Sequence, residues 1–188
     1  MHSILGIDEV GRGCWAGPLV VGAVVLGKEI EGLTDSKLLN KQKRLEFDQQ
    51  IRETAKFVGL GWVEPKEIDE LGLTNSMKLA IKRALEGVPK VSQIIIDGNI
   101  NYLAEDPRAI TQIKADQTVP AVSAASIVAK VARDTYMENA SNDHPSFGFE
   151  THVGYGTKVH REALAMHGVT SLHRLSYKPI QVIINGQA

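Results

Sequence analysis

The chain is written in short apolar runs that stop on a carboxylate, a glycine or a proline, and this punctuation constrains the fold more than any other feature. Ser3 to Ile7 and the Val-rich Leu19 to Leu26 have the length and composition of strands in a half-buried sheet. Lys56 to Val63, Gln93 to Ile96 and the stretch around Ala109 to Ile113 repeat the pattern. Between them the period changes to that of a helix. Lys41 to Thr54 carries Leu45, Phe47 and Ile51 and has Asn40 placed to cap it. The segment from Pro65 to Gly87 sets Leu73, Met77, Ile81 and Leu85 four apart, and Pro89 ends it. Pro120 opens an Ala-rich segment, Ala121 to Ala140, expected as the longest helix, and Lys158 to His167 is expected as another. Strands followed by strand-helix alternation predict an α/β fold, a mixed sheet covered by helices. A single catalytic domain over 1–180 with a short tail at 181–188 is the expected organisation, since 188 residues suit one core.

Composition serves mainly to exclude. The apolar runs are far shorter than the ~20 residues of a membrane span, and no secretory signal is visible before Asp8 and Glu9. No membrane association and a cytoplasmic location are therefore expected. The single cysteine, Cys14, excludes an internal disulfide and a cysteine-built zinc site. The histidines 144, 152, 160, 167 and 173 form no zinc spacing, and most are expected on the surface or in loops. A formal charge of -1 argues against a wholly basic nucleic-acid trap, but metal-binding acids can mask a local basic stripe in that total.

Asp8, Glu9, Asp97 and Asp116 share a placement, each at the expected end of an apolar strand or in the loop just after one. Taken singly, such acids are ordinary solvated turn formers. Gathered at one sheet edge, four carboxylates repel one another and raise some pKa values unless cations bind between them. Hard oxygen ligands suit Mg²⁺ or Mn²⁺. Two such ions about 3.5–4 Å apart support in-line hydrolysis of a phosphodiester. One geometric difficulty remains: successive strand residues face opposite ways, so Asp8 and Glu9 enter one site together only if the chain bends at Val10-Gly11. The alternative is that Asp8 uses its side chain and Glu9 its backbone carbonyl.

Longer motifs carry a resemblance. Asp-Glu-Val-Gly-Arg-Gly at 8 to 13, with Ala16-Gly17-Pro18, resembles the opening signature of the type 2 ribonucleases H, the bacterial ribonuclease HII family. Asp35-Ser36-Lys37, Asp97-Gly98-Asn99, Lys114-Ala115-Asp116 with Val122 to Lys130 and Arg133-Asp134, and Gly154-Tyr155-Gly156-Thr157 with His160 resemble the later motifs in order. Together they run from about Ile4 to Pro179. Cys14-Trp15 and Ala115 depart from the residues common at those places in the family. The resemblance implies a ribonuclease H-like mixed five-stranded sheet flanked by helices, with Asp8, Glu9, Asp97 and Asp116 in the catalytic, metal-binding positions.

It also implies a substrate: RNA/DNA hybrids, and DNA duplex containing single ribonucleotides, cut by a monomer to leave 3′-hydroxyl and 5′-phosphate ends. Gly11, Arg12 and Gly13 would clamp the ribose 2′-hydroxyl, which only RNA offers. Tyr155 would stack on the sugar after the cut, favouring a ribose-to-deoxyribose junction. Ser36, Lys37 and Lys130 would contact phosphates. Two other readings stay open: a DNA-cutting relative on the same acid cluster, against which the Gly-Arg-Gly clamp argues, and a non-catalytic nucleic-acid binding module.

Overall fold

The computed structural model describes residues 3–186. Five strands, β1 (Ile4–Val10), β2 (Leu19–Val25), β3 (Phe57–Val63), β4 (Gln93–Asp97) and β5 (Ala109–Gln112), form one mixed sheet in the order β3-β2-β1-β4-β5. β1 runs antiparallel to β2 and parallel to β4, and β5 is parallel to β4. The helices are α1 (Lys41–Thr54), α2 (Pro65–Ala84), α3 (Pro120–Asp143), the single turn α4 (Phe149–His152), α5 (Lys158–His167) and α6 (Lys178–Ile184). Among the described residues no helix is long and apolar enough to cross a membrane.

Most elements sit where the hydrophobic period places them, and local chemistry fixes their ends. Asn40 caps α1 by accepting from the Lys43 amide at 2.8 Å, and Thr157 caps α5 through the His160 amide. Three differences are informative. β1 continues through Asp8 and Glu9 to Val10, because pairing with β2 holds the chain extended past the apolar run that ends at Ile7. α2 is broken at Gly72, whose φ of 72° lies in the left-handed region open to glycine, so the stripe from Leu73 to Ile81 belongs to its second half and Leu85 lies just past its end. Of the tail expected from 181, residues 181–184 belong to α6, which Pro179 helps to start, while 187 and 188 lie outside the described residues.

The chain divides into two compact units. The first comprises residues through Val10, Val20–Trp62 and Met77–Val131, and holds the sheet apart from one terminal residue each of β2 and β3. In it α3 lies directly on the middle of the sheet. A Cβ at Gly6 would stand 2.2 Å from the Ala121 backbone, and one at Gly22 would stand 2.3 Å from the Ala125 carbonyl oxygen. The helix answers with Ala121, Ala124, Ala125 and Ala129, all buried, so helix and sheet approach at backbone distance. The second unit comprises Gly11–Leu19, Val63–Ser76 and the chain from Ala132 onward, around a core of Ala16, Met137, Phe147, Phe149, Leu164 and Ile180.

Candidate active site

The first unit gathers the acids. Asp8 lies on the central strand, opposite Gly22 of β2, and is only 6% exposed. Its Oδ1 accepts from the Glu9 amide at 2.8 Å, and the Ser126 hydroxyl on α3 also bonds its carboxylate. Burial pushes the Asp8 carboxyl up to about 8; the Ser126 bond opposes that, and the charges of Glu9 and Asp97 add to it. Asp97 ends the neighbouring strand β4, and its Oδ1 accepts from the Ala115 amide at 2.7 Å. That bond pins the turn Ala115–Gln117, which Lys114 enters in the left-handed conformation, and the turn carries Asp116. Asp116 is buried, and its carboxyl is held above the usual range by burial and then by Asp97 and Asp35, with Lys37 acting against them. The Ser123 hydroxyl donates to the Asp116 carbonyl at 2.6 Å.

The Asp35-Ser36-Lys37 segment belongs to the same unit. Asp35 accepts from the Lys37 amide at 2.9 Å, and the Lys37 ammonium stands 3.8 Å from Asp116 Oδ2 and 3.9 Å from Asp35 Oδ1. Ser36 is buried, 3.0 Å from Ser126 Oγ to Oγ, so Ser126 joins Ser36 to Asp8. Lys130 is partly buried on α3. Ser126, Ser123 and Asp35 are residues to which the sequence assigned no part. The signal for the serines was their spacing: Ser123 and Ser126 are three apart and share one face of an otherwise alanine-rich helix.

Among the described residues no group of three or more His, Cys, Asp or Glu side chains forms a ready-made metal cage. The donor set nonetheless fits a hard divalent cation. It is all carboxylate oxygen, it is under like-charge repulsion that a cation would relieve, and Mg²⁺ needs only one or two protein carboxylates beside water and phosphate. Glu9 has no bend between it and Asp8. The β1–β2 ladder runs regularly through Glu9↔Val21 and Val10↔Val20, and the turn comes after both acids, at Gly11 with φ 85°. Alternation along β1 therefore sets the two side chains on opposite faces.

The remaining residues singled out in the sequence lie in the second unit. Gly11 and Gly13, similar in the motif, differ in surroundings. A Cβ at Gly11 would meet Arg133 Nε at 2.2 Å, whereas one at Gly13 would meet nothing within 4 Å. Close approach by a ligand is thus open at Gly13, while Gly11 makes room for an arginine. The Arg12 side chain is exposed, and its carbonyl accepts from the Tyr177 hydroxyl at 2.7 Å and from Arg174 Nη1 at 3.2 Å. Arg133 and Arg174, both wholly buried, hold this loop. Arg133 donates to the carbonyls of Pro18, Ala16 and Val153 at 2.9, 3.0 and 2.8 Å, and Arg174 donates twice to that of Gly17, at 3.0 and 2.8 Å. Tyr155 is 42% exposed, its phenol pushed up to about 12 by burial and by Cys14.

Most of the histidines keep the expected surface or loop places: His144 and His173 lie in loops and His167 is exposed. His152, His160 and His173 are nevertheless buried, edge-on or tilted against Phe149, and every ring nitrogen in the trio finds a partner.

A mixed five-stranded sheet of this order, flanked by helices and with carboxylates on its central strands, defines the ribonuclease H-like class of fold. A crystal structure of ribonuclease H2 from Pyrococcus horikoshii superposes with a TM-score of 0.83 over 98% of each chain, at 27% identity. Residues 5–180 match the Ribonuclease HII family, so the chain belongs to that family. It is 45% identical to a ribonuclease HII of Streptomyces avermitilis over 93% of this chain and 76% of that one. It is 44% identical to one of Vibrio vulnificus over 96% and 88%. The protein is accordingly a ribonuclease H-type endonuclease.

Proposed function

We propose that this chain cuts the RNA strand of RNA/DNA hybrids and also incises DNA duplex at single embedded ribonucleotides. On this reading it uses Mg²⁺ or Mn²⁺, leaves 3′-hydroxyl and 5′-phosphate ends, and acts as one catalytic domain and a monomer in the cytoplasm, in the removal of ribonucleotides from DNA. The observation that carries the reading is Asp8, buried on the central strand beside Glu9 and Asp97 with its carboxyl pushed up to about 8. Such a group is relieved by a divalent cation. Asp8, Glu9, Asp97 and Asp116 would hold it, Glu9 through its backbone carbonyl given the alternation along β1. When bound, two such ions supply Lewis-acid activation of water and stabilise the charge of the displaced oxygen.

The chain's own groups take defined parts. Ser126 orients Asp8, Asp97 holds the turn that presents Asp116, and Lys37, exposed yet within 4 Å of Asp116, offers a cation to the strand being cut. Ser36 and Lys130 are further phosphate contacts on this reading. In the second unit the backbone at Gly11, Arg12 and Gly13 reads the 2′-hydroxyl, with Gly13 as the point of closest approach. Tyr155 stacks on the following sugar. The deciding assay uses three duplexes: uniform hybrid, one embedded ribonucleotide, and all DNA. Cleavage of the first two with either ion, the cut mapped to the 5′ side of a ribose-to-deoxyribose junction, is the expected result. Equal cleavage of the all-DNA duplex would restore the DNA-cutting reading, and no cleavage of any would restore the binding module.

A further inference from the structure

The buried histidines of the second unit form a chain of hydrogen bonds with a direction. The Thr170 amide donates to His173 Nδ1 at 2.8 Å. The Thr170 hydroxyl, which accepts from the Leu172 amide, stands 3.0 Å from the same nitrogen. A ring nitrogen that accepts an amide N–H carries no proton, so neutral His173 holds its proton on Nε2. That atom is 3.0 Å from His160 Nε2, which must then accept. The proton of His160 is left on Nδ1, 2.9 Å from the Tyr155 carbonyl, and is donated there. Tyr155 is fixed on both sides of its peptide. Its amide donates to the His152 carbonyl at 2.9 Å, and its carbonyl also accepts from the Thr157 amide at 2.8 Å. His152 is set independently: it accepts from the Gly154 amide on Nδ1 and donates from Nε2 to the Phe147 carbonyl.

Burial pulls both His160 and His173 down to about 4, so the neutral forms that the relay needs prevail near pH 7. The rings also pack: His160 stacks on His152 with centroids 4.6 Å apart, and Phe149 meets it edge-on. Packing alone would be met by phenylalanine. An imidazole is required only to pass the hydrogen bond from Thr170 to Tyr155.

We propose that His160 and His173, set by Thr170, are positioning residues for Tyr155: their relay fixes the Tyr155 carbonyl, and thereby how the tyrosine ring meets the sugar after the cut and how strongly a ribose-to-deoxyribose junction is preferred. The proposal rests on the part given to Tyr155 under Proposed function. Its test compares kcat and KM on a duplex with one embedded ribonucleotide and on uniform hybrid, for the wild type, His160→Phe, His160→Asn, His173→Gln and Tyr155→Ala. His160→Phe keeps the ring and removes the relay, and is expected to lower the junction preference about tenfold, mainly through KM. His160→Asn carries an amide where Nδ1 stands and is expected to recover most of it. Nitrogen-detected NMR of the wild type is expected to find His173 protonated on Nε2 and His160 on Nδ1; the opposite tautomers overturn the relay. If Tyr155→Ala lowers the preference and folded His160→Phe does not, the proposal fails and the reading of Tyr155 stands. Should His160→Phe fail to fold, His173→Gln, which gives up the acceptor set by Thr170, decides in its place: it is expected to lower the preference, and an unchanged preference overturns the proposal. If Tyr155→Ala leaves the preference unchanged, both fall, while cleavage of hybrid by the wild type still supports the wider function.

Discussion

In the first unit Asp8 and Asp116 are buried among other carboxylates; in the second Arg133 and Arg174 are buried among carbonyl oxygens. Both arrangements remove charge from water, at a cost that burial alone does not return. The arginines recover it by donating mainly to carbonyls of the loop from Arg12 to Pro18, which they thereby hold in place. The acids recover only part, from Ser126, Lys37 and backbone amides, and keep their mutual repulsion. A cluster met by acceptors builds; a cluster left under repulsion is ready for a cation. That contrast separates scaffold from chemistry more sharply than burial does, since members of both groups are nearly inaccessible.

The comparison is breakable at several points. The largest effect is expected from Asp8→Asn, which should abolish metal-dependent cleavage while raising the unfolding temperature of the metal-free protein at pH 8, because it deletes a repelled anion; a lower unfolding temperature there would mean that the acids are not under repulsion. Next, Arg133→Met should cost about 3 kcal/mol or more, since it leaves three carbonyls without their donor; urea denaturation measures this, and a loss under about 1 kcal/mol would show the loop holds itself. Gly11→Ala should cost roughly 2 kcal/mol from its left-handed φ and its collision with Arg133. Gly13→Ala, with open space around it, should change stability by no more than about 0.5 kcal/mol and reduce cleavage instead.

The smallest and most diagnostic effect is in the pH dependence. A carboxyl raised from 3.8 to about 8, as in Asp8, binds more protons folded than unfolded, so its contribution is present in acid and is lost as pH rises through 8. His160 and His173, lowered from 6.5 to about 4, contribute above pH 6.5 and lose that contribution as pH falls towards 4. Thermal unfolding without metal should therefore decline on both sides of a maximum near pH 6 to 7. Asp8→Asn should flatten the alkaline side and steepen the acid side, where Asp8 opposes the histidines, while His160→Phe should lessen the acid side alone.

How far the sequence reached follows the same division. The strands, α1, α3 and α5 were legible because their apolar period and caps are local, as Asn40, Pro120 and Thr157 illustrate. The four acids were legible as strand-end exceptions to apolar runs, although β1 extends beyond Ile7 to Val10 and keeps Asp8 and Glu9 in regular pairing. The partners were not. A serine three residues from another, an arginine in a helix and a histidine in a loop each have ordinary surface readings, and only long-range contacts, such as Arg133 with Pro18 or Ser36 with Ser126, give them their parts. Gly11 is the plainest case: its reason for being glycine stands more than a hundred residues along the chain.

The seat of α3 on the sheet has one more consequence. Gly22 lies opposite Asp8, and the Ala125 carbonyl against which Gly22 packs belongs to the residue before Ser126. The reach of Ser126 to Asp8 is thus calibrated by an absent methyl group. A Gly22→Ala change, conservative on paper and itself uncharged, would lift the helix and open that reach, so the chain's mutational tolerance at Gly22 should resemble that of Asp8 itself.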